Sequence, residues 1–135
     1  MITFAPTMKK LILITIIAIL LSACQSYSEK KQATQLEKAM HNYELLVRWG
    51  DVEKAQSFNK NITAASLKQI SNIQITSYEV VQSPVLVSEK KAVQTVLIEY
   101  VLKDSQVQRK LMDQQVWELD DKTGGWLITS DVPKF

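Results

Sequence analysis

The sequence predicts an α+β fold: N-terminal helices packed on a curved antiparallel sheet of about four strands, preceded by a removable export segment. Three observations lead there. Leu36, Met40, Tyr43 and Val47 step by three and four, the spacing of one helix face. From Asn72 the apolar period changes to two, the spacing of half-buried strands. Asp120-Asp121-Lys122-Thr123-Gly124-Gly125 then divides two strand-like runs with turn-forming residues. Helices first and strands afterwards, without alternation, is the α+β order and not that of a parallel sheet.

The chain opens on a different signature. Met8-Lys9-Lys10 leads into LILITIIAILL, Leu11 to Leu21, and then into Ser22-Ala23-Cys24. This uniformly apolar run is too short for a bilayer, which takes about 20 residues at 1.5 Å each. A basic head, a short apolar middle and small residues at its end are the layout of a secretory signal. Leu21-Ser22-Ala23-Cys24 resembles the lipobox of bacterial lipoproteins: an aliphatic residue, a small one, Gly or Ala, then Cys. All four positions match. The resemblance implies diacylglycerol on the Cys24 thiol, cleavage before Cys24, and acylation (palmitate-type chains) of the new amino terminus. Two or more chains anchor stably, at about 0.8 kcal/mol per buried methylene.

On this reading residues 1–23 are a signal peptide, residues 24–35 an acylated cysteine with a flexible tether, and residues 36–135 a single α+β domain. Residues 1–7 precede the usual lipoprotein-like start at Met8, so Met1 and Met8 are both candidate starts. An Asp directly after the cysteine commonly signals inner-membrane retention in Gram-negative lipoproteins. Gln25 and Ser26 stand there instead, and the resemblance therefore implies the outer membrane, with the domain facing the periplasm.

Residues 25–35, QSYSEKKQATQ, are polar and lack an apolar period, as expected of a tether. The helical stripe beginning at Leu36 is widened by Leu46 and Trp49, and Gly50 is placed to end it. Asp51 is a good N-cap for the short helix VEKAQSF. Asn61-Ile62-Thr63 has the form of a glycosylation acceptor, but Asn61 or Thr63 capping AASLKQI suits a bacterial protein better. Ile73, Ile75 and Tyr78 to Val81 predict a first strand, broken by Ser83-Pro84, with a turn at Glu89-Lys90-Lys91. Ala92–Lys103 and Val107–Leu119 are two long strands, and Trp126–Ser130 completes the sheet.

With Asp104-Ser105 as the tip of the central hairpin, Ile98 lies opposite Leu111 and Glu99 opposite Lys110. One face then carries Val96, Ile98, Tyr100, Leu102, Val107, Leu111, Trp117 and Leu119. A slip of one residue would set that face against Gln108, Lys110 and Gln114, so this register is selected. The early segment LVRWGDVEKAQSF and the late hairpin VWELDDKTGGWLITSD, with Trp117 and Trp126, resemble the nuclear-transport-factor-two-like superfamily of cone-shaped α+β domains over about residues 36–131. That superfamily hosts both enzymes and binding modules, so the resemblance implies a fold and leaves the function open.

The same apolar face receives Arg109, Asp113 and Gln115. They form a candidate pocket with Tyr100 and Trp117, or they meet solvent and helix caps where the sheet curls past the helix. Asp113, its pKa raised by apolar neighbours, is the candidate general acid or base. Trp49, Trp117 and Trp126 offer either a stacking platform or core packing. His41, the one histidine, falls off the helical stripe.

Composition narrows the partners. Two of the 16 basic residues, Lys9 and Lys10, lie before the apolar run, which leaves residues 24–135 with as many basic as acidic groups. Nucleic acid is therefore not an expected partner. One Cys and one His exclude an internal disulfide framework, cysteine-based triads and His-rich metal sites, and no glycine-rich phosphate loop is present. No cofactor is expected. Three readings remain: a lipid-anchored, non-enzymatic module binding an envelope protein or a small ligand; an isomerase- or hydratase-type enzyme with Asp113 as base; and a structural subunit of an envelope complex using a sheet face with Leu97 and Met112.

Overall fold

The computed structural model describes residues 6–135, without the side chain of Gln25. Residues 1–5 of the expected export segment, with the candidate start at Met1, and the Gln25 side chain invoked for sorting lie outside the described residues. The chain divides into two compact units, Met1–Thr34 and Gln35–Phe135.

The first unit is helical. Helix α1 spans Pro6–Arg48, and its apolar stretch is exposed on every side, Leu11, Ile12, Leu13 and Ile14 through Leu21 alike. By length and composition this helix suffices to cross a membrane. The Cys24 thiol is exposed and free. Residues 25–35, expected to be a flexible tether, are part of α1 instead. Glu29, Lys30, Lys31, Gln32 and Ala33 are strong helix formers, and polarity alone does not make a segment irregular.

In the second unit the predicted stripe is the buried face of α1: Leu36, Met40, Tyr43 and Val47 all enter the core. Leu46 is half-buried and packs against them, but Trp49 does not widen the stripe. It lies beyond the last helical residue and is 84% exposed. Gly50 takes φ +78°, a left-handed position that ends the helix cheaply only for glycine. Its N–H meets Val47 O at 3.2 Å, and Asp51 N–H meets Leu46 O at 2.9 Å, which satisfies carbonyls the helix end leaves free.

Asp51 caps α2, Val52–Ala55, by accepting from Lys54 N–H. A 3-10 turn follows at Gln56–Phe58. Thr63 caps α3, Ala64–Ser71, in a reciprocal box with Ser66.

Four antiparallel strands then pair in chain order: β1, Ile73–Ser88; β2, Lys91–Leu102; β3, Gln108–Leu119; and β4, Trp126–Ile128. The central register is the predicted one, with Ile98 opposite Leu111 and Glu99 opposite Lys110. Ser83-Pro84 does not break β1. β1 is an edge strand, and its pairing with β2 shifts register between Gln82 and Val85, so the missing N–H of Pro84 removes no ladder bond. The β2–β3 turn holds Gln106 at φ 55° and closes with Gln106 N–H on Leu102 O at 2.7 Å.

Contacts at two places fasten the layers. Arg48 at the end of α1 pairs with Glu44 at 2.7 Å and donates to Tyr78 O on β1 at 2.5 Å. The segment after the 3-10 turn joins β4 by an Asn59–Ile128 bridge and by Asn61 Nδ2 donating to Thr129 O at 2.7 Å. β4 is fastened to β3 beyond its three residues, since Val116 N–H donates to Ser130 Oγ at 3.1 Å.

Because the Thr63 hydroxyl accepts the Ser66 N–H at 3.1 Å, Thr63→Ala should lower stability by about 1 kcal/mol. Urea unfolding followed by circular dichroism measures this, and an unchanged midpoint would show that α3 does not depend on its cap.

Candidate functional site

β2 and β3 alternate faces, and their inward positions line up across the register. Trp117 faces Ala92, Gln115 faces Gln94 and Asp113 faces Val96. All six are buried. The methyl of Ala92 leaves room for the indole of Trp117, and the helix closes over both through Tyr43, whose ring meets Trp117 edge-on at 5.6 Å. Tyr43 also meets Phe58 at 5.9 Å and Tyr78 at 6.2 Å.

Inside this aromatic shell lies a polar chain. The Gln115 Oε1 accepts from Gln94 Nε2 at 2.7 Å, and from Tyr78 Oη and Trp117 Nε1 at 3.3 Å each. A carbonyl oxygen has two lone pairs, so the short bond takes one and the two longer bonds share the other. The Gln115 Nε2 donates in turn to Asp113 Oδ2 at 3.1 Å. Three donors on one end of the amide polarise it and make the other end a better donor to the carboxylate.

Burial pushes the Asp113 carboxyl up to about 6, against the lowering effect of the Gln115 bond. Burial likewise drives the Tyr43 and Tyr78 phenols far above their usual range, and the nearby Asp113 charge adds to both.

The five sequence-predicted pocket residues therefore part company. Asp113, Gln115 and Trp117 meet in one network. Tyr100 is buried further along the sheet, edge-on to Phe135 at 5.2 Å. Arg109 faces Tyr100 in the ladder but is exposed, past the cover of the helix. None of the five lines the groove described below. Tyr43, Tyr78 and Gln94 were not among the sequence candidates. Gln94 was within reach, since an inward Gln between Ala92 and Val96 must face Gln115 in the predicted register. His41 is exposed, as its position off the stripe implies. Among the described residues no cluster of three His, Cys, Asp or Glu side chains is placed to hold a metal.

The open space lies elsewhere. A groove of about 360 Å³ runs between Lys38 and Asn42 of α1, Phe58 of the 3-10 turn, and Gly124, Gly125 and Trp126 at the start of β4. Gly124, at φ +71°, allows the turn that forms one side, closed by Gly124 N–H on Asp120 O at 2.7 Å. The Trp126 side chain is buried and its indole N–H has no acceptor. Such an orphaned donor costs about 1–3 kcal/mol. A smaller depression of about 190 Å³ beside Asp51 and Lys103 is polar, and its Asp51 carboxylate is already paired with Lys54 at 2.8 Å.

On the outer face of the sheet, Leu97 and Met112 are paired neighbours, the first half-buried and the second 60% exposed. The far half of β1 exposes Val81, Val85, Leu86 and Val87.

No protein-family model matches the chain, and no curated protein and no solved structure matches it significantly.

The raised Asp113 pKa gives a signed prediction. Between pH 3.8 and about 6 the folded chain keeps a proton that the unfolded chain has released. The Asp113 contribution to stability should therefore be greatest below pH 3.8, fall as pH rises toward 6, and level off above it. The Asp113 contribution to that fall is at most about 3 kcal/mol. Asp113→Asn should flatten this slope and raise the midpoint of urea unfolding at neutral pH. Gln115→Met strands the Gln94, Tyr78 and Trp117 donors, and should cost about 3 kcal/mol or more.

Proposed function

We infer that this chain is a lipid-anchored bacterial envelope protein whose α+β domain binds a partner or ligand without catalysing a reaction. The observation that carries the anchor is the apolar stretch of α1 up to Leu21, exposed throughout and followed directly by the exposed thiol of Cys24. So much bare apolar surface is incompatible with water as a permanent neighbour. Removal of residues 1–23 with acylation of Cys24 resolves the exposure and supplies the membrane attachment. Gln25 and Ser26 after the cysteine favour the outer membrane and a periplasmic domain.

The non-enzymatic half of the reading rests on the interior. A carboxylate acting as general base must reach the proton it takes. Asp113 is 9% exposed, holds Gln115 as a hydrogen-bond partner and lies under an aromatic shell. The isomerase or hydratase alternative needs a substrate against that carboxylate, whose Oδ2 already holds the Gln115 amide. The exposed surfaces, the groove at Trp126 and the sheet face at Leu97 and Met112, are where a binding module meets what it binds.

Cells expressing the full chain and fed an alkyne-tagged fatty acid should label the wild-type protein, and its mature form should begin at residue 24. Cys24→Ala should abolish the label and leave a precursor-sized band. Equal labelling of the variant would remove the anchor from the account.

A further inference from the structure

The groove between α1 and β4 has a one-sided chemistry. Gln35, Lys38 and Asn42 share one face of α1 along it, while Phe58 and Trp126 form apolar walls. Lys38 is the one charged residue in its lining, and no carboxylate faces it there. Among the described residues Lys38 has no ion-pair partner. A Cβ on Gly124 would meet nothing within 4 Å, so the turn leaves open space beside the walls. The volume of about 360 Å³ lies within the range of small-molecule sites.

The geometry points to a binding site for a small organic carboxylate with a flat apolar body. The carboxylate pairs with Lys38 at the solvent side, supported by the amide N–H groups of Gln35 and Asn42. The body lies against Phe58 and Trp126, where apolar contact supplies most of the affinity and the charge sets the choice of ligand. Water already solvates both the lysine and a free anion, so the charge pair adds modestly to affinity but discriminates against a neutral or cationic analogue. Ligand capture of this kind rests on the binding-module reading and is independent of acylation at Cys24.

The test uses the full chain in zwitterionic detergent micelles, labelled with ¹⁵N-tryptophan. Trp49, Trp117 and Trp126 then give three indole signals, and Trp126→Phe identifies the third by its loss. Indole-3-acetate is the probe, with indole-3-acetamide as its neutral counterpart. Titration with the acid should move the Trp126 signal saturably and leave those of Trp49 and Trp117 in place. The amide should bind about tenfold more weakly or less, a difference of about 1.4 kcal/mol. Lys38→Glu, a change at an exposed helix position, should abolish the preference for the acid. No movement of the Trp126 signal at millimolar acid would overturn the site. Equal binding of acid and amide, or an unaltered preference in Lys38→Glu, would overturn the ligand class. Saturable movement of the Trp126 signal by a peptide C-terminus where the small acid moves nothing would overturn it as well. Loss of fatty-acid labelling leaves this titration unchanged, so the anchor and the site fail separately.

Discussion

One amide holds the interior together. Gln115 is fully buried at the centre of β3 and is the shared partner of four side chains from all three long strands. Its oxygen gathers the donors of Gln94, Tyr78 and Trp117, and its nitrogen serves Asp113. A buried polar group is costly unless each of its bonds is made, and here one residue satisfies the others as well as itself. The aromatic shell depends on that satisfaction. Tyr43 can seat its ring on Trp117 and Tyr78 because the polar atoms of both point elsewhere, toward the amide. The helix position, the register and the small residue at Ala92 are thus aspects of a single packing solution.

That solution leaves the interior polar groups of Asp113, Gln115, Gln94 and Tyr78 bonded within the core. Asp113 and Tyr78, which look most reactive on paper, spend their polar atoms on Gln115. Burial raises the Asp113 pKa because no cation lies close enough to hold the charged form, and the nearest donor is a neutral amide. A perturbed carboxylate is often a pointer to catalysis. Here burial is the largest cause of the shift. The open surfaces carry little titratable chemistry by comparison: the groove at Trp126 is lined by apolar walls and one lysine.

Much of the fold could be read from the chain, and the reasons are specific. The stripe of Leu36, Met40, Tyr43 and Val47 and the alternation in β2 and β3 are strong periodic signals, and the strand register followed from keeping Gln108 and Lys110 off the apolar face. Local signals were weaker where topology decides. Pro84 reads as a strand breaker until β1 is known to be an edge strand, where a missing N–H is harmless. Residues 25–35 read as a tether because they are polar, although their helix propensity is high. Trp49 reads as core by spacing, yet the helix ends one residue before it. Of the candidate site, the inward set of Asp113, Gln115 and Trp117 was legible from alternation. That Tyr43 and Tyr78 would seal it was not, since those contacts join residues far apart in sequence.

The sheet order carries a kinetic consequence. Each strand pairs with its immediate neighbour in the chain, so every ladder closes over a short loop and no crossover must be threaded. Long-range fastenings include the seating of α1 on the sheet and the joining of residues 59–61 to β4 and Thr129. A chain exported unfolded, as the proposed function requires, would gain from this arrangement. The meander zips from hairpin to hairpin with little loop entropy to lose, and it has no disulfide to form or isomerise. What remains slow is the last closure, when α1 covers the sheet. Until then Trp117 and Gln115 stay open to water, and the sheet's apolar face is the surface on which the newly arrived chain is most exposed to aggregation.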